Sequence, residues 1–230
     1  MGSLAVVAGL AAVTGCLDAV SLARLTGTFV AFQTGNSVLV GLGIGRGHFA
    51  VSAPPLVAVL AYLVGSALAP TVAGHGRIPA VLAARRLLGA AVGLLLIEVL
   101  LVLIGVGFGT DAARPSGALR YACIVVAAVA MAFQTPVVRR VDGIAVSSTF
   151  STGMLARLGQ SLGSWRDPAT RARERGVARV LGATIGAFLV GATIGGVLIE
   201  AVGNVAVVAP LVGLVAVAAF AVRNERRVEI

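Results

Sequence analysis

The chain has 230 residues and a mean hydropathy of +1.02, with only 12% charged residues, about half the charge of an ordinary soluble domain. Long apolar runs recur from end to end, each near the roughly 20 residues that cross a bilayer, and they do not alternate as the strands of a membrane barrel would. The net charge of +9 comes from 18 arginines and no lysine; these lie between the apolar runs, where the positive-inside rule wants them, so the excess of positive charge does not point to nucleic acid.

Taken in chain order, hydropathy and loop residues predict apolar segments near 4–23, 27–45, 51–73, 86–108, 118–138, 144–163, 177–199 and 203–222. Segment one contains "VTGC" (13–16), a lipoprotein-like box. The uncharged start "MGSLAVV" argues for an uncleaved first helix instead. Segment two carries "FQTGNSVLV" (32–40), with Gln33, Thr34, Asn36 and Ser37 around Gly35. Segment six carries "FSTGMLARL" (150–158), again with Phe, Thr and Gly, 118 residues later. Ser147, Ser148, Thr149, Ser151, Thr152, Arg157 and Gln160 make it a poor lipid-facing helix. Such polar groups must face protein or a watery cavity, so segments two and six are expected to be re-entrant, broken or enclosed. Glycine loosens a helix, and the break is expected at the Thr-Gly pairs. In segment seven, Gly182 and Gly186, then Gly191 and Gly195, form two small-xxx-small pairs that allow close helix packing. The same faces could equally make a homodimer. Before that segment, Asp167 can cap a helix with Pro168 in its first turn, and Trp165 suits the interface.

"GTDAARPSG" (109–117) divides a single membrane domain (1–230) into halves 1–112 and 113–230. "AVTGCLDAVSLARLTG" (12–27) lies on "AVAMAFQTPVVRRVDG" (128–143), which pairs Asp18 with Gln134, Arg24 with Arg140 and Gly27 with Gly143. "YLVGSALA" (62–69) likewise lies on "FLVGATIG" (188–195). Matches in a common order point to an internal repeat, a frequent construction in transporters. If all eight segments span, the two sides carry 12 and 6 arginines and the halves run parallel. If segments two and six enter and leave on one side, the counts become 14 and 4 and the halves run antiparallel. The second arrangement obeys the positive-inside rule better. Both put the termini on the cytoplasmic side. The fold class is therefore all-α, a polytopic transmembrane bundle of six to eight apolar segments with a two-fold repeat.

Asp18, deep in segment one, and Glu98, in "LLLIEVLLV" of segment four, carry charge at bilayer depth, which costs roughly 3 kcal/mol on insertion scales. Either could titrate during transport. Asp18 could equally be a structural carboxylate held by Arg24, Asn36 or Gln134, and Glu98 could simply be paired. Broken helices expose backbone groups that bind ions or polar solutes. The candidate substrate or ion site is therefore Asp18, Gln33, Thr34, Gly35, Asn36, Glu98, Gln134, Arg140, Thr149, Thr152 and Gly153. The alternative is that Thr-Gly only permits close helix crossing. Cys16 and Cys123 lie in apolar runs, and His48 and His75 have no second ligand at motif spacing, so no metal site is expected. No zinc, nucleophile-elbow or Walker motif is present, and neither an enzymatic activity nor a cofactor is expected.

"CLDAVSLARLTGTFVAFQTGNSVLVG" resembles the first signature of the YoaK-like bacterial membrane proteins, with Asp18, Thr34, Gly35 and Asn36 at its positions. "AFQTPVVRRVDGIAVSSTFSTGMLARLGQSL" is similar to the second, through Gln134, Arg140, Gly143, Thr149, Phe150, Thr152 and Gly153. Pro136 departs from that pattern and is expected to kink segment five. The resemblance implies an inner-membrane protein of about six spans, of a kind sometimes labelled a small-molecule transporter, without an established substrate. Two functions follow. One is a secondary transporter or channel-like carrier of a small polar solute or ion, partnered by the lipid bilayer. The other is a non-transporting scaffold, sensor or partner subunit.

Overall fold

A computed structural model describes residues 2–74, 79–107, 112–138, 140–147, 149, 151–164, 168 and 170–223. The expected Asp167 cap, Trp165, His75, Ser148 and Phe150 lie outside the described residues. Among the described residues, eight α-helices follow one another: α1 (Gly2–Val20), α2 (Gln33–Gly45), α3 (Phe49–Ala73), α4 (Ala80–Gly105), α5 (Gly117–Gln134), α6 (Ser151–Gly163), α7 (Arg171–Val202) and α8 (Val208–Arg223). A π-helical turn, Ser21–Leu25, extends α1, and a 3-10 turn, Asn204–Val207, leads into α8. Six of these elements are long and apolar enough to cross a membrane; the 13-residue α2 and α6 are not among them. The chain is a multi-pass helical membrane protein.

Side-chain contacts fix the directions of the helices. Gln134, at the end of α5, donates to the Leu10 carbonyl near the start of α1, and Arg120, at the start of α5, donates to the Thr26 carbonyl just past α1. The two helices are antiparallel. Gly191 lies against Ala12 and Gly195 against Cys16, so α1 and α7 run parallel. The Gly105 end of α4 meets Leu119 of α5, making that pair antiparallel. The stretch from Gly27 to Arg46 therefore leaves α1 and returns to the same end of the bundle, where Gly27, Arg46, His48 and Arg120 line one cleft. The chain between α5 and α7 does the same at the opposite end.

Several helix pairings come in matching sets. Helix α1 packs on α7 and α8, as α5 packs on α3 and α4, and α2 packs on α3 as α6 packs on α7. Gly27 and Gly143 both hold a left-handed backbone, with φ of +70° and +75°, a conformation that costs glycine little.

Several boundaries differ from expectation, each for a local reason. The break in segment two falls before the Thr-Gly pair, at residues 26–32, and Thr34-Gly35 opens α2. Thr152-Gly153 opens α6 in the same way. Segment six does not begin as helix: Arg140–Val141 (β1) and Ile144–Ala145 (β2) form a short antiparallel hairpin around Asp142 and Gly143. Pro136 does not kink α5 but lies beyond its end, consistent with the missing N–H that bars proline from helix interiors. Pro168 precedes α7 rather than entering its first turn.

The core is built from α1, α4 and α5, whose buried faces carry Leu10, Leu17, Leu95, Ile124 and Met131. The closest approach is between α1 and α7. A Cβ on Gly15 would strike the Phe188 carbonyl, and one on Gly191 the Ala12 carbonyl. Of the two glycine pairs in α7, only Gly191 and Gly195 serve this contact; a Cβ on Gly182 or Gly186 meets open space. Gly191→Leu should therefore cost about 3 kcal/mol or more by forcing backbones apart, while Gly182→Leu should cost little. Thermal unfolding in detergent compares them, and equal losses would contradict the packing described. Cysteines placed at Gly47 and Arg114 should react on the face opposite the N-terminus; labelling on the N-terminal face would require eight spans.

Candidate functional site

The broken stretch after α1 is organised by side chains rather than by helix hydrogen bonds. Asp18 is 3% exposed. The N–H groups of Val30 and Ala31 donate to its Oδ1 at 2.8 and 2.9 Å, and that of Phe32 donates to Oδ2 at 3.1 Å. One carboxylate thus satisfies three consecutive backbone donors. Asn36 completes the turn from the other side: its Nδ2 donates to the Phe29 carbonyl (2.7 Å) and to Gln33 Oε1 (2.9 Å), while its Oδ1 accepts from the Phe29 N–H. Gln33 Nε2 donates to the Val30 carbonyl. Gly35 leaves room for the Phe29 and Phe32 rings, which meet edge to face with centroids 5.2 Å apart. Hydroxyls of Ser21, Thr26 and Thr28 form a small cluster below.

The expected site residues therefore fall into separate groups. Asp18, Gln33, Gly35 and Asn36 come together. Thr34 and Thr152 are exposed at the openings of α2 and α6, and Gly153 is half-buried beside Thr152. Arg140 is exposed on β1. Gln134 is fully buried and reaches α1, with Nε2 donating to Leu10 O at 3.0 Å and to Thr14 Oγ1 at 2.8 Å. Asp18 is held by backbone rather than by Arg24, Asn36 or Gln134. Arg24 instead donates to Asn204 Oδ1 and the Ala112 carbonyl, tying the linker between the halves to the 3-10 turn. Glu98 is buried on α4, well away from the Thr-Gly openings in sequence, and neither of its oxygens has a partner.

Thr149 lies elsewhere, bonded to Thr135 and Ser147, two residues in the wall of a cavity of about 590 Å³ at the end of α3, the start of α4 and the end of α5. This is within the ordinary size range of small-molecule sites. Its wall is mostly small and apolar, with Ala69, Pro70, Ala84, Leu87 and Pro136, and with Ser66, Thr135 and Ser147 as polar points. The wall hydroxyls of Thr135 and Ser147 join a small network with two residues outside the lining: Tyr62 is 2.7 Å from Thr135, and Thr149 is 3.3–3.4 Å from Ser147, Thr135 and Tyr62. Sequence reading missed Tyr62, Thr135 and Asn204. A tyrosine inside an apolar segment was the available signal, since a buried phenol seeks a partner. No group of three or more metal-ligating side chains occurs among the described residues.

Residues 6–220 match the family described as "Protein of unknown function (DUF1275)". The chain belongs to that family. The YoaK-like proteins it resembles belong there too. No curated protein and no solved structure matches it.

The geometry around Asp18 makes a stability forecast. Asp18→Ala strands three buried N–H groups, each worth about 1–3 kcal/mol when unsatisfied, and should lower unfolding free energy by more than about 3 kcal/mol. Thr34→Val and Thr152→Val, both at exposed positions, should stay within about 0.5 kcal/mol of the parent. Unfolding in mixed micelles measures all three. A stable Asp18→Ala variant would mean that the turn is held by something else.

Proposed function

We propose that this DUF1275 member is a small secondary transporter or channel-like carrier of the bacterial inner membrane, with both termini cytoplasmic. Its solute would occupy the cavity between α3, α4 and α5 rather than the Asp18 turn. The observation that carries this reading is the cavity itself, of small-molecule size, with the hydroxyls of Thr135 and Ser147 in its wall and Tyr62 and Thr149 bonded to them. Such a lining suits a small, largely apolar solute with one or two hydrogen-bonding groups. Support also comes from the recurring helix pairings. Antiparallel halves with one re-entrant segment each are the frame of an inverted repeat, which permits one half to rock against the other. The two halves are packed differently here: α1 and α7 are in backbone contact, while the cavity opens beside α3 and α5.

A non-transporting scaffold or partner subunit is the second reading. It is favoured by the way Asp18, Gln33 and Asn36 spend their polar groups on their own chain.

Water access separates the two. In a variant with Cys16 and Cys123 replaced by alanine, Ala69→Cys or Ser147→Cys should react with a membrane-impermeant thiol reagent from the cytoplasmic face. Proteoliposomes screened with a panel of small amphipathic solutes should show uptake that Ala69→Leu, by filling the cavity, lowers about tenfold, the equivalent of about 1.4 kcal/mol. Cavity cysteines closed to reagent from both faces, or uptake indifferent to Ala69→Leu, would leave the scaffold reading.

A further inference from the structure

Glu98 lies on the buried face of α4, which otherwise carries Ala84, Leu87, Leu88, Ala91, Leu95, Val99 and Val102. It is 0% exposed, and neither carboxyl oxygen accepts or donates a hydrogen bond. An ionised carboxylate left unpaired in such surroundings costs many kcal/mol, and the usual remedy is to stay neutral. A proton on the carboxyl removes the charge with no change of packing.

No cation pairs with Glu98 among the described residues, and Arg85 and Arg86 of α4 itself lie twelve or more positions nearer its start. The elements packed against α4 are α3, α5, α8 and the 3-10 turn. Their titratable groups among the described residues are Tyr62 on α3, Arg120, Tyr121 and Cys123 on α5, and Arg223 on α8. Cys123 is close enough to interact with Glu98 electrostatically, and a thiol supplies no positive charge. Tyr62 is engaged with Thr135, and Arg120 with the Thr26 carbonyl. Arg24, beyond these elements, is held by Asn204 and Ala112.

The placement of Glu98 along α4 gives the proton a use. Ala84 and Leu87, on the same buried face, line the cavity. Glu98 follows Leu87 by eleven positions, or about 16 Å along a helix. Because both residues lie on one helix face, a shift of α4 against α5 that reshaped the cavity would carry Glu98 with it. We propose that Glu98 is a reversible proton-binding site, occupied in this conformation and released when α4 moves. Proton binding at Glu98 does not require the transport reading. If that reading holds, this proton is the coupling ion.

Infrared spectroscopy of the full-length protein in lipid tests the site directly. Wild type minus Glu98→Gln should contain the C=O band of a protonated carboxylic acid at about pH 6, already well above the ordinary glutamate range near 4.3. The band should be gone by about pH 9 and return on acidification. Dicyclohexylcarbodiimide gives a second readout that needs no variant. The carboxyl proton passes to one carbodiimide nitrogen and the carboxylate oxygen bonds the central carbon. The resulting O-acylisourea rearranges to a stable N-acylurea, with no leaving group. Mass spectrometry of labelled membranes should find the adduct on Glu98 and not on Glu200, which is exposed near the end of α7. A missing band and a missing adduct would overturn the site, and a band that persists unchanged to about pH 9 would overturn its reversibility. Proton-driven uptake lost in Glu98→Gln, with solute binding retained, would identify the proton as the coupling ion. A band that titrates as expected with no uptake by any variant would sink the transport reading alone.

Discussion

Everything in this fold depends on one demand of the bilayer: backbone donors and acceptors buried in hydrocarbon must be satisfied by the protein itself. Helices meet it automatically. The stretch between α1 and α2 does not, and Asp18 answers for it by accepting three consecutive N–H groups from Val30, Ala31 and Phe32. Asn36 and Gln33 satisfy the remaining groups of the same turn. With that turn fixed, the chain can reverse inside the bundle and leave by the end it entered. The antiparallel relation of α1 and α5 is compatible with that reversal, since an even number of crossings in the first half would have set the two helices parallel.

A second constraint works between helices. Lipid offers no hydrophobic drive for association, so close contact must come from small residues and interhelical hydrogen bonds. Helix α1 uses both. Gly15 and Gly191 bring its backbone against α7, and Gln134 reaches across from α5 to Leu10 and Thr14. On the other side, α3 and α5 approach through Gly65 and Ala132 but diverge towards Pro70 and Pro136, where the cavity opens. Similar pairings are thus tight between α1 and α7 and looser between α3 and α5. That asymmetry, more than any single polar residue, is what opens the cavity in the bundle.

Much of the architecture was legible in the sequence because hydropathy and loop arginines report the bilayer directly. Segment lengths and the 14-to-4 arginine division favoured six crossings, and six helices have the length and apolar character to cross. The polar character of segments two and six marked the two short helices correctly, yet misplaced the break. Glycine's weak helix propensity made Thr34-Gly35 look like its centre. The actual break is set by a side chain twelve to fourteen residues upstream, Asp18, which no local window registers. The hairpin at Arg140–Ala145 was missed because its left-handed Asp142 and Gly143 fall in the short gap between two apolar runs, and its second strand, Ile144–Ala145, opens a run that reads as helix. The cavity was not legible at all, because alanine, proline and leucine line it and only the spacing of three helices makes it hollow.

The two intramembrane carboxylates then divide by partner, although the sequence presents them alike. Asp18 sits where the backbone is irregular, so unused N–H groups converge on it and its polarity is consumed by the fold. Glu98 sits in the middle of a regular helix whose backbone donors are already spent within the helix, and its neighbours contribute methyl groups and one thiol. A carboxylate that shapes a chain reversal cannot change its charge without loosening that reversal. A carboxylate with no partner can gain or lose a proton whenever its cover shifts. The same residue chemistry, at similar depth, is thereby structural in one helix and free to respond in another, and the state of the surrounding backbone hydrogen bonds decides which.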